Sequence, residues 1–389
     1  MTPTIGIVAN EPSGDLLGAS LVRALRARLP GARFVGVAGP RMQQEGCETL
    51  LPMERLSVMG LVEVIKVLPE LLRLRRELYG HFVRNRPDVF IGIDAPDFNL
   101  GLETRLRRAG ILTVHLVSPT VWAWRPGRVK TIRRAVDLML SIFPFEERFL
   151  RAHQVPVRYV GHPLADEIPF DVSAVEARAA LGLPATGEVI ALLPGSRRSE
   201  VASLAGPLLE TAAWCQRRRP GLRFVVPLVS ESLYLDFNAR RRQIAPEVDC
   251  QLLHGQSREA IAASDCVLTA SGTATLEALL LKRPMLVAYR LNALTYQLVK
   301  TLRLVKVPYA AMANLLAGRE LAPEFIQDRC RADLMGPALL AMLDDVPRRN
   351  SIRAEYERIH HELRQDAARE AAAAVLALMS QRAARVQAA

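Results

Sequence analysis

The sequence has few cysteines, and none of them lies in a spacing typical of a metal site or a disulfide framework. The 389 residues contain five cysteines, which is an odd number, and these are far apart and never form a C-x-x-C pair. Neither a structural zinc site nor a set of disulfides is therefore expected, and the thiols are expected to stay reduced.

Long apolar runs are also missing, and no leader segment is expected. No uninterrupted apolar segment approaches the roughly 20 residues that a membrane-spanning helix needs. The first residues, MTPTIGIVANEPSGD, have no basic region ahead of their strand-like run, so no signal peptide is expected. Together these features predict a cytoplasmic protein.

Two common nucleotide-binding signatures are absent. The chain contains neither GxxxxGKS nor GxxxxGKT, and the segment EPSGDLLG that follows the first predicted strand lacks GxGxxG. ATP hydrolysis by a P-loop enzyme and dinucleotide redox chemistry are therefore disfavoured. A nucleotide that is bound through its phosphates and ribose, and that serves as a leaving group, remains open.

Aromatic residues are scarce, whereas positive charge is in excess. Only 5% of the residues are aromatic, and the formal net charge is +11. The charge favours an anionic partner, which could be nucleic acid, an acidic membrane surface or a phosphorylated ligand. Because nucleic-acid modules usually combine basic residues with a recognisable motif or exposed aromatic side chains, we expect no nucleic-acid partner.

What the chain does have is a regular alternation of short apolar runs with segments of helical periodicity, which is typical of parallel sheets covered by helices. The predicted strands are 5–9, 34–38, 89–93, 113–117, 138–142 and 158–160, and then 189–193, 224–226, 251–253, 266–269 and 285–288. The pattern predicts an α/β protein with two Rossmann-like doubly wound domains that face a central cleft. We place the domains at 1–168 and 169–345, and a helical segment at 346–389 that can pack back on the first domain.

Two loops that join a strand to a helix in the second domain suit an anionic ligand. In LPGSRRSEV, Gly195 lets the backbone approach a ligand, Ser196 can donate a hydrogen bond, and Arg197 adds a forked cation at a helix start. In ASGTATLEALL, the residues Ser271, Gly272 and Thr273 open a second helix, and Glu277 can accept hydrogen bonds from ribose hydroxyls. The alternatives are a tight turn with solvated arginines, and a favourable charge near a helix start.

Two carboxylates follow the strand 89–93 in IGIDAPDFNL. If Asp94 faces the cleft, it can accept a proton from an alcohol that attacks a sugar carbon. Asp97 can orient that group or serve as the base itself. The alternative is that either carboxylate caps a helix that begins near Asn99.

The loop SPTVWAWRPGRVK combines Trp122 with Arg125 and Arg128, and so suits an anionic, partly apolar ligand. The alternative is a packed aromatic loop beside a solvated basic helix. The segment VMGLVEVIKVLPELLRLRREL predicts an amphipathic helix with a wide apolar face followed by arginines, which favours contact with an anionic membrane surface over packing in the core. Its predicted membrane residues are Leu61, Val62, Val64, Ile65, Leu68, Leu71 and Leu72.

The motifs EPSGDLLG, VGVAGPRMQQEGCE, GIDAPDFN, SPTVWAWRPGR, LPGSRRSEV, ASGTATLEALL and ANLLAGREL occur in this order over nearly the whole chain. In this order they resemble the lipid-A-disaccharide synthase family. The resemblance implies the GT-B fold, with the nucleotide donor in the second domain and the acceptor mainly in the first. It further implies an inverting transfer of the sugar of UDP-2,3-diacylglucosamine to the 6-hydroxyl of 2,3-diacylglucosamine 1-phosphate (lipid X), which gives a β-1,6 disaccharide and UDP.

The resemblance also implies roles for individual residues. Asp94 and Arg197 are expected to be catalytic, Asn314 is added to the donor-binding residues, and Glu11 and Ser13 are added to the acceptor-binding residues. GT-B enzymes generally stabilise the departing diphosphate without a metal, so no cofactor is expected. The partners implied are the two acylated sugars and the inner-membrane surface, and a homodimer is left open.

Two other classes of function compete with this hypothesis. A different GT-B enzyme, such as a UDP-N-acetylglucosamine epimerase or the murein glycosyltransferase, would share the donor loops. A noncatalytic basic protein that coats anionic membrane would not need two anion-suited loops and a carboxylate at strand ends.

Overall fold

A computed structural model describes residues 2–56, 61–124, 126–291, 296 and 308–387, without the side chains of 61–67, 123–124, 126 and 386–387. The chain divides into two compact units. One comprises Met1–Asp166 with Leu363–Ala389, and the other comprises Glu167–Glu362. Among the described residues, no helix combines the length and hydropathy needed to cross a membrane.

The first unit is built on a sheet of seven parallel strands. In chain order they are β1 (Thr4–Ala9), β2 (Arg33–Val37), β3 (Cys47–Thr49), β4 (Val89–Ile93), β5 (Leu112–Leu116), β6 (Leu138–Ser141) and β7 (Val157–Tyr159). The spatial order is β3-β2-β1-β4-β5-β6-β7. The order reverses between β1 and β4, so the doubly wound prediction is confirmed, and ligands are expected outside the carboxyl ends of these two strands.

Helices cover both faces of this sheet. They are α1 (Pro12–Arg28), α2 (Pro40–Gln44), α3 (Leu61–Arg84), α4 (Pro96–Arg108), α5 (Val121–Trp124), α6 (Val129–Ala135), α7 (Pro144–Ala152) and α8 (Pro163–Glu167). Every residue of β4 and β5 is buried, which is why both strands are continuous apolar runs. One core cluster joins the sheet to α3 and α4, with the rings of Phe82 and Phe90 packed edge to face.

The second unit contains six parallel strands in the order β10-β9-β8-β11-β12-β13. They are β8 (Val189–Leu193), β9 (Arg223–Leu228), β10 (Cys250–His254), β11 (Cys266–Ala270), β12 (Met285–Tyr289) and β13 (Glu324–Ile326). The described helices are α9 (Ala174–Ala180), α10 (Arg198–Arg218), α11 (Glu231–Ile244), α12 (Ser257–Ala263), α13 (Thr273–Leu280), α14 (Met312–Ala317) and α15 (Ala332–Asp344). Here the order reverses between β8 and β11, which marks their carboxyl ends as the binding edge.

Two further helices complete the chain, α16 (Val346–Leu363) and α17 (Ala367–Gln387). Most of α16 belongs to the second unit, whereas α17 packs against α1 in the first. The start of α17 is held by Asp166, whose carboxylate accepts hydrogen bonds from the backbone N–H groups of Asp366 and Ala367 at 2.8 and 2.7 Å.

Candidate active site

A cavity of about 460 Å³ lies at the carboxyl ends of β8 and β11. This is the edge where the strand order of the second sheet reverses. All of the predicted donor residues except Asn314 line it, namely Gly195, Ser196, Arg197, Ser271, Gly272, Thr273 and Glu277. The structure therefore brings together two loops that are about 75 residues apart in the chain, because parallel strands present their carboxyl ends at one edge.

The loop between β8 and α10 is held by Glu200, a residue that the sequence analysis did not single out. Its carboxylate accepts hydrogen bonds from the backbone N–H groups of Ser196 and Arg197 at 3.0 and 3.2 Å. Gly195 has φ +112°, and a Cβ there would lie 2.5 Å from the same carboxylate. The loop amides that we had expected to bind a ligand are thus satisfied internally. The spacing of Arg197 and Glu200 is that of a capping box, which could have indicated this role.

The side chain of Arg197 remains available to a ligand. It is 74% exposed, and its contact with Glu200 is long, at 3.6 Å. A guanidinium on a cavity wall can bind two phosphate oxygens at once with its fork of N–H groups. Because Glu200 already binds two amides of this loop, the Arg197 side chain is the candidate anion-binding group.

The second loop offers the start of α13 to the same cavity. Gly272 precedes the helix with φ +147°, and no side chain caps it. The first N–H groups of such a helix, together with its positive dipole end, favour an anion. The Ser271 hydroxyl donates to the carbonyl of Ala310 at 3.0 Å, and the Thr275 hydroxyl donates back to Gly272 at 2.8 Å, so both hydroxyls also stabilise the loop.

Asn314 is buried and stabilises the chain segments that contact this loop. Its Nδ2 donates to the carbonyl of Ala322 and to Glu324, both at 2.8 Å, and its Oδ1 accepts from the backbone of Leu321 and Ala322. Glu324 in turn accepts from the backbone N–H groups of Ala310 and Ala311. Asn314 is therefore placed to secure the chain segment to which Ser271 is bonded.

Glu277 lies on the cavity wall and is oriented by an arginine. Arg258 Nε donates to Glu277 at 3.3 Å, and the other end of the guanidinium contacts both carboxylate oxygens of Glu167 at 2.8 and 3.2 Å. Burial raises the pKa of Glu277, and the contact with Arg258 acts against that shift. Arg258 and Glu167 were not singled out from the sequence, because no local pattern relates residues so far apart.

In the first unit, Asp94 lies at the edge formed by the carboxyl ends of β1 and β4, where the strand order of that sheet reverses. It directly follows β4, whose last residue pairs with the last residue of β1, and its side chain is half-buried. Asp94 and Ala95 both adopt left-handed backbone angles, with φ +49° and +41°. Such angles cost a non-glycine residue about 1–3 kcal/mol and cluster at functional sites. Val117, after the neighbouring strand β5, has φ +77°. Three of the non-glycine residues with positive φ thus follow the neighbouring strands β4 and β5.

Asp97 has a different environment from Asp94. Helix α4 begins at Pro96 rather than near Asn99, and no side chain caps it, so neither carboxylate has the capping role that we considered. The Asp97 carboxylate is 84% exposed and contacts Arg128 at 2.5 Å. Its backbone carbonyl accepts a hydrogen bond from Arg75 at 2.9 Å.

Of the remaining predicted acceptor residues, those that the structure describes follow β1 and β5. Glu11 directly precedes α1, and the exposed Ser13 lies in its first turn. Trp122 donates from its indole Nε1 to Glu146 at 3.2 Å, and burial raises the pKa of Glu146 to about 8. Arg125 lies outside the described residues.

The predicted membrane residues lie on α3. Leu68 and Leu72 are 46% and 38% exposed. Leu71 is half-buried and packs against the core cluster of the first unit. The side chains of the other four predicted residues, Leu61, Val62, Val64 and Ile65, lie outside the described residues.

Among the residues that the structure describes, no group of three or more His, Cys, Asp or Glu side chains is arranged to hold a metal ion. Among the described residues that line the cavity, Arg197 carries a positive charge that could meet an anionic ligand.

Two solved structures share the fold at low sequence identity. The UDP-N-acetylglucosamine 2-epimerase from Neisseria meningitidis, bound to UDP-N-acetylglucosamine, has a TM-score of 0.59 at 11% identity, with 98% of this chain and 100% of that chain covered. The calicheamicin glycosyltransferase CalG4 has a TM-score of 0.61 at 14% identity, with 98% and 99% covered. This likeness shows the fold alone, which is the two-domain α/β fold of GT-B glycosyltransferases.

The sequence comparisons are more specific. The family model for lipid-A-disaccharide synthetase matches residues 5–378. The lipid-A-disaccharide synthase of Pseudomonas aeruginosa strain UCBPP-PA14 is 55% identical over 385 residues, with 97% of this chain and 98% of that protein covered. With motifs, fold and strand-end residues in agreement, the chain belongs to the lipid-A-disaccharide synthase family of glycosyltransferases.

Proposed function

We propose that the chain transfers the sugar of UDP-2,3-diacylglucosamine to the 6-hydroxyl of 2,3-diacylglucosamine 1-phosphate, with inversion at the anomeric carbon. The products are the β-1,6-linked tetraacyl disaccharide 1-phosphate and UDP. The observation that carries the proposal is the half-buried carboxylate of Asp94 on a strained turn at the switch point of its sheet. A strained non-glycine turn that presents a carboxylate suits a general base.

In the acceptor half of the reaction, Asp94 takes the proton of the 6-hydroxyl as that oxygen attacks the anomeric carbon. The new bond joins the acceptor oxygen to this carbon, while the bond from the carbon to the diphosphate oxygen breaks. The electron pair of that bond leaves with UDP. One base is sufficient for such a single displacement, because the leaving diphosphate is a stable anion.

In the donor half, Arg197 and the start of α13 neutralise the charge that develops on the diphosphate. A fixed cation and helix end cost no reorganisation during the reaction, which is how such groups lower the barrier. Glu277 accepts hydrogen bonds from the ribose hydroxyls. The proposal assigns no cofactor, since these groups already supply the positive charge.

The acceptor is assigned to the edge of the first unit that carries Asp94. Arg128, which Asp97 holds, and Arg125 are proposed to bind its 1-phosphate. Trp122, whose indole is fixed by Glu146, offers a rigid surface to its apolar parts. Glu11 and Ser13 are proposed to contact the sugar from the loop after β1.

The test is a direct assay with the purified protein. Incubation with the two acylated substrates is expected to give a disaccharide 1-phosphate and UDP, detected together by mass spectrometry and by a UDP assay. UDP-N-acetylglucosamine alone serves as the control substrate. Its epimerisation, or release of UDP without a disaccharide, would instead favour one of the other GT-B activities.

Arg258 offers a specific test of the donor site. Arg258→Ala is expected to raise KM for the UDP-sugar about tenfold with little change in kcat, because Glu277 loses the hydrogen bond that orients its carboxylate. A charged hydrogen bond of this kind contributes about 1.5–3 kcal/mol, and tenfold corresponds to about 1.4 kcal/mol. Arg217→Ala is the control, since Arg217 is 61% exposed and contacts only Glu247 among the described salt bridges. An unchanged KM in Arg258→Ala would show that Glu277 does not bind the donor.

Because both substrates carry acyl chains, we also propose that the protein works on the inner face of the inner membrane, with α3 as its contact. The double variant Leu68→Ser and Leu72→Ser is expected to reduce binding to anionic vesicles at least fivefold in co-sedimentation, with the same unfolding midpoint. Both side chains are partly exposed, so burying them in lipid would contribute about 1–3 kcal/mol each.

The matched control replaces Val175 and Leu235, which are 62% and 58% exposed but lie in the second unit. Vesicle binding of this control is expected to equal that of the unaltered protein. Equal losses in both double variants would mean that α3 has no special role. A large fall in the unfolding midpoint for the α3 variant would instead indicate that Leu68 and Leu72 are core residues.

A further inference from the structure

We propose that Asn99 is a positioning residue for Asp94. Its side-chain amide donates two hydrogen bonds to backbone carbonyls and so holds Asp94 in the strained turn. The inference rests on the proposed function, because it concerns the base of that reaction. No motif in the sequence suggested this role, and Asn99 entered the sequence analysis only as the expected start of a helix.

Asn99 is completely buried and points back at the end of β4. Its Nδ2 donates to the carbonyl of Ile93 at 3.1 Å and to the carbonyl of Asp94 at 2.9 Å. It thus binds the residue that ends the strand and the residue that carries the carboxylate. In addition, the backbone N–H of Asp94 donates to the carbonyl of Leu116, at the end of the neighbouring strand β5, at 2.9 Å. The peptide groups on both sides of Asp94 are therefore held.

The turn needs such a restraint because its backbone angles are unfavourable. Asp94 and Ala95 both have positive φ, and neither is glycine. Residues in this region keep their angles only when the surrounding structure overdetermines them. Without the two bonds from Asn99, the turn can relax toward ordinary angles, and the carboxylate would change direction with it.

Asn99 belongs to a buried polar layer that continues beneath the turn. Asn10, at the end of β1, accepts from Asn99 at 3.4 Å. One turn further along α4, the fully buried Glu103 contacts Nδ1 of the fully buried His115 at 2.7 Å. Gly92 makes room for this layer, because a Cβ there would lie 2.1 Å from Glu103 and 3.0 Å from Asn99.

This layer is not explained by packing. Within the part of the chain that the structure describes, Asn99 Oδ1, Glu103 Oε2 and His115 Nε2 are buried without a hydrogen-bond partner. Such atoms cost stability, and an apolar side chain would avoid that cost. The turn next to this layer must be held in place, and only a hydrogen-bond donor can hold it. This requirement accounts for a polar side chain at position 99 despite its cost.

The test compares two substitutions at position 99 with a control in the same helix. Asn99→Ala removes the amide, and Asn99→Leu removes it while keeping the number and branching of the side-chain heavy atoms. Leu100→Ala is the control, because Leu100 is 1% exposed and packs in a different core cluster. Both Asn99 variants are expected to lose about ten- to a hundredfold in kcat, with KM for both substrates within about twofold, since only the direction of the base changes. Leu100→Ala is expected to lower the unfolding midpoint while keeping kcat within about threefold.

A double variant separates positioning from a general structural effect. If Asn99 acts through Asp94, then Asp94→Asn combined with Asn99→Ala is expected to be no more than about twofold slower than Asp94→Asn alone. Fully additive losses would overturn the inference. A folded Asn99→Leu variant with normal kcat would do the same.

One measurement does not depend on the reaction. Hydrogen exchange at the Asp94 amide is expected to be at least about tenfold faster in Asn99→Ala than in Leu100→Ala, which controls for a loss of global stability. If the unaltered protein formed no disaccharide, the proposed function would be wrong. The exchange rate at the Asp94 amide would still show whether Asn99 holds the turn. If the protein is active and exchange at Asp94 is the same in all variants, the inference alone fails.

Discussion

Replacing Asp94 by asparagine is expected to lower kcat by about 10²–10⁴-fold, which is the usual contribution of a positioned general base. The amide has nearly the same shape as the carboxylate but cannot take the proton of the acceptor hydroxyl. The backbone contacts of residue 94, to Leu116 and Asn99, are retained in the variant. KM for the donor is expected to stay within about threefold, because the proposed donor site lies in the second unit. Disaccharide formation measured by mass spectrometry checks the result.

The control for this prediction is Glu48→Gln on the edge strand β3. Glu48 is 57% exposed and contacts Arg33, far along the sheet from β4. It is expected to keep kcat within about twofold. If Asp94→Asn kept more than a tenth of the activity, Asp94 would not be the base, and the same assay on Asp97→Asn would show whether Asp97 is.

Replacing Arg197 by alanine is expected to lower kcat/KM by about 10²–10³-fold, the scale on which a charge-stabilising group contributes at a reaction centre. The loop should keep its conformation, because Glu200 binds the backbone of Ser196 and of residue 197 rather than depending on the arginine side chain. The loss would thus report on the guanidinium itself. Arg197→Lys is expected to recover part of the activity, since lysine keeps the charge but lacks the fork.

Arg198→Ala is the matched control for Arg197. Arg198 is the next residue, is exposed, and does not line the cavity. It is expected to keep kcat/KM within about threefold. Equal losses in the two variants would indicate that the loop contributes only general positive charge, whose effect would then fall steeply with added salt. An active Arg197→Ala enzyme would remove this side chain from the mechanism.

The sequence predicted most of the fold because parallel strands that are buried on both faces are continuous apolar runs. Eleven strands were predicted, and β1, β4 and β8 were found within one residue of their expected bounds. The strands β3 and β13 were missed. Each has only three residues, lies at an edge and carries a glutamate, so neither has the length nor the composition of a buried strand.

The sequence also predicted which loops line the donor cavity, but not how they are held. Gly195, Ser196 and Ser271 follow strands, and the position of a strand end can be inferred from local pattern. The expectation that backbone amides of the Ser196 loop bind a ligand stays a prediction, although Glu200 already binds those of Ser196 and Arg197. Glu200 lies three residues after Arg197, and this capping-box spacing is a local signal for its role.

By itself, the sequence determined the alternation of strands and helices, the class of fold, and the strand-end positions of Asp94, Arg197 and Ser271. Only the tertiary structure decided that Asn314 supports a loop, that Arg258 orients Glu277, and that Asn99 holds the turn at Asp94. The physical reason is that periodicity reflects burial, which each segment encodes locally. Hydrogen-bond partners such as Asn10 and Asn99, 89 residues apart, are set by how distant segments pack together.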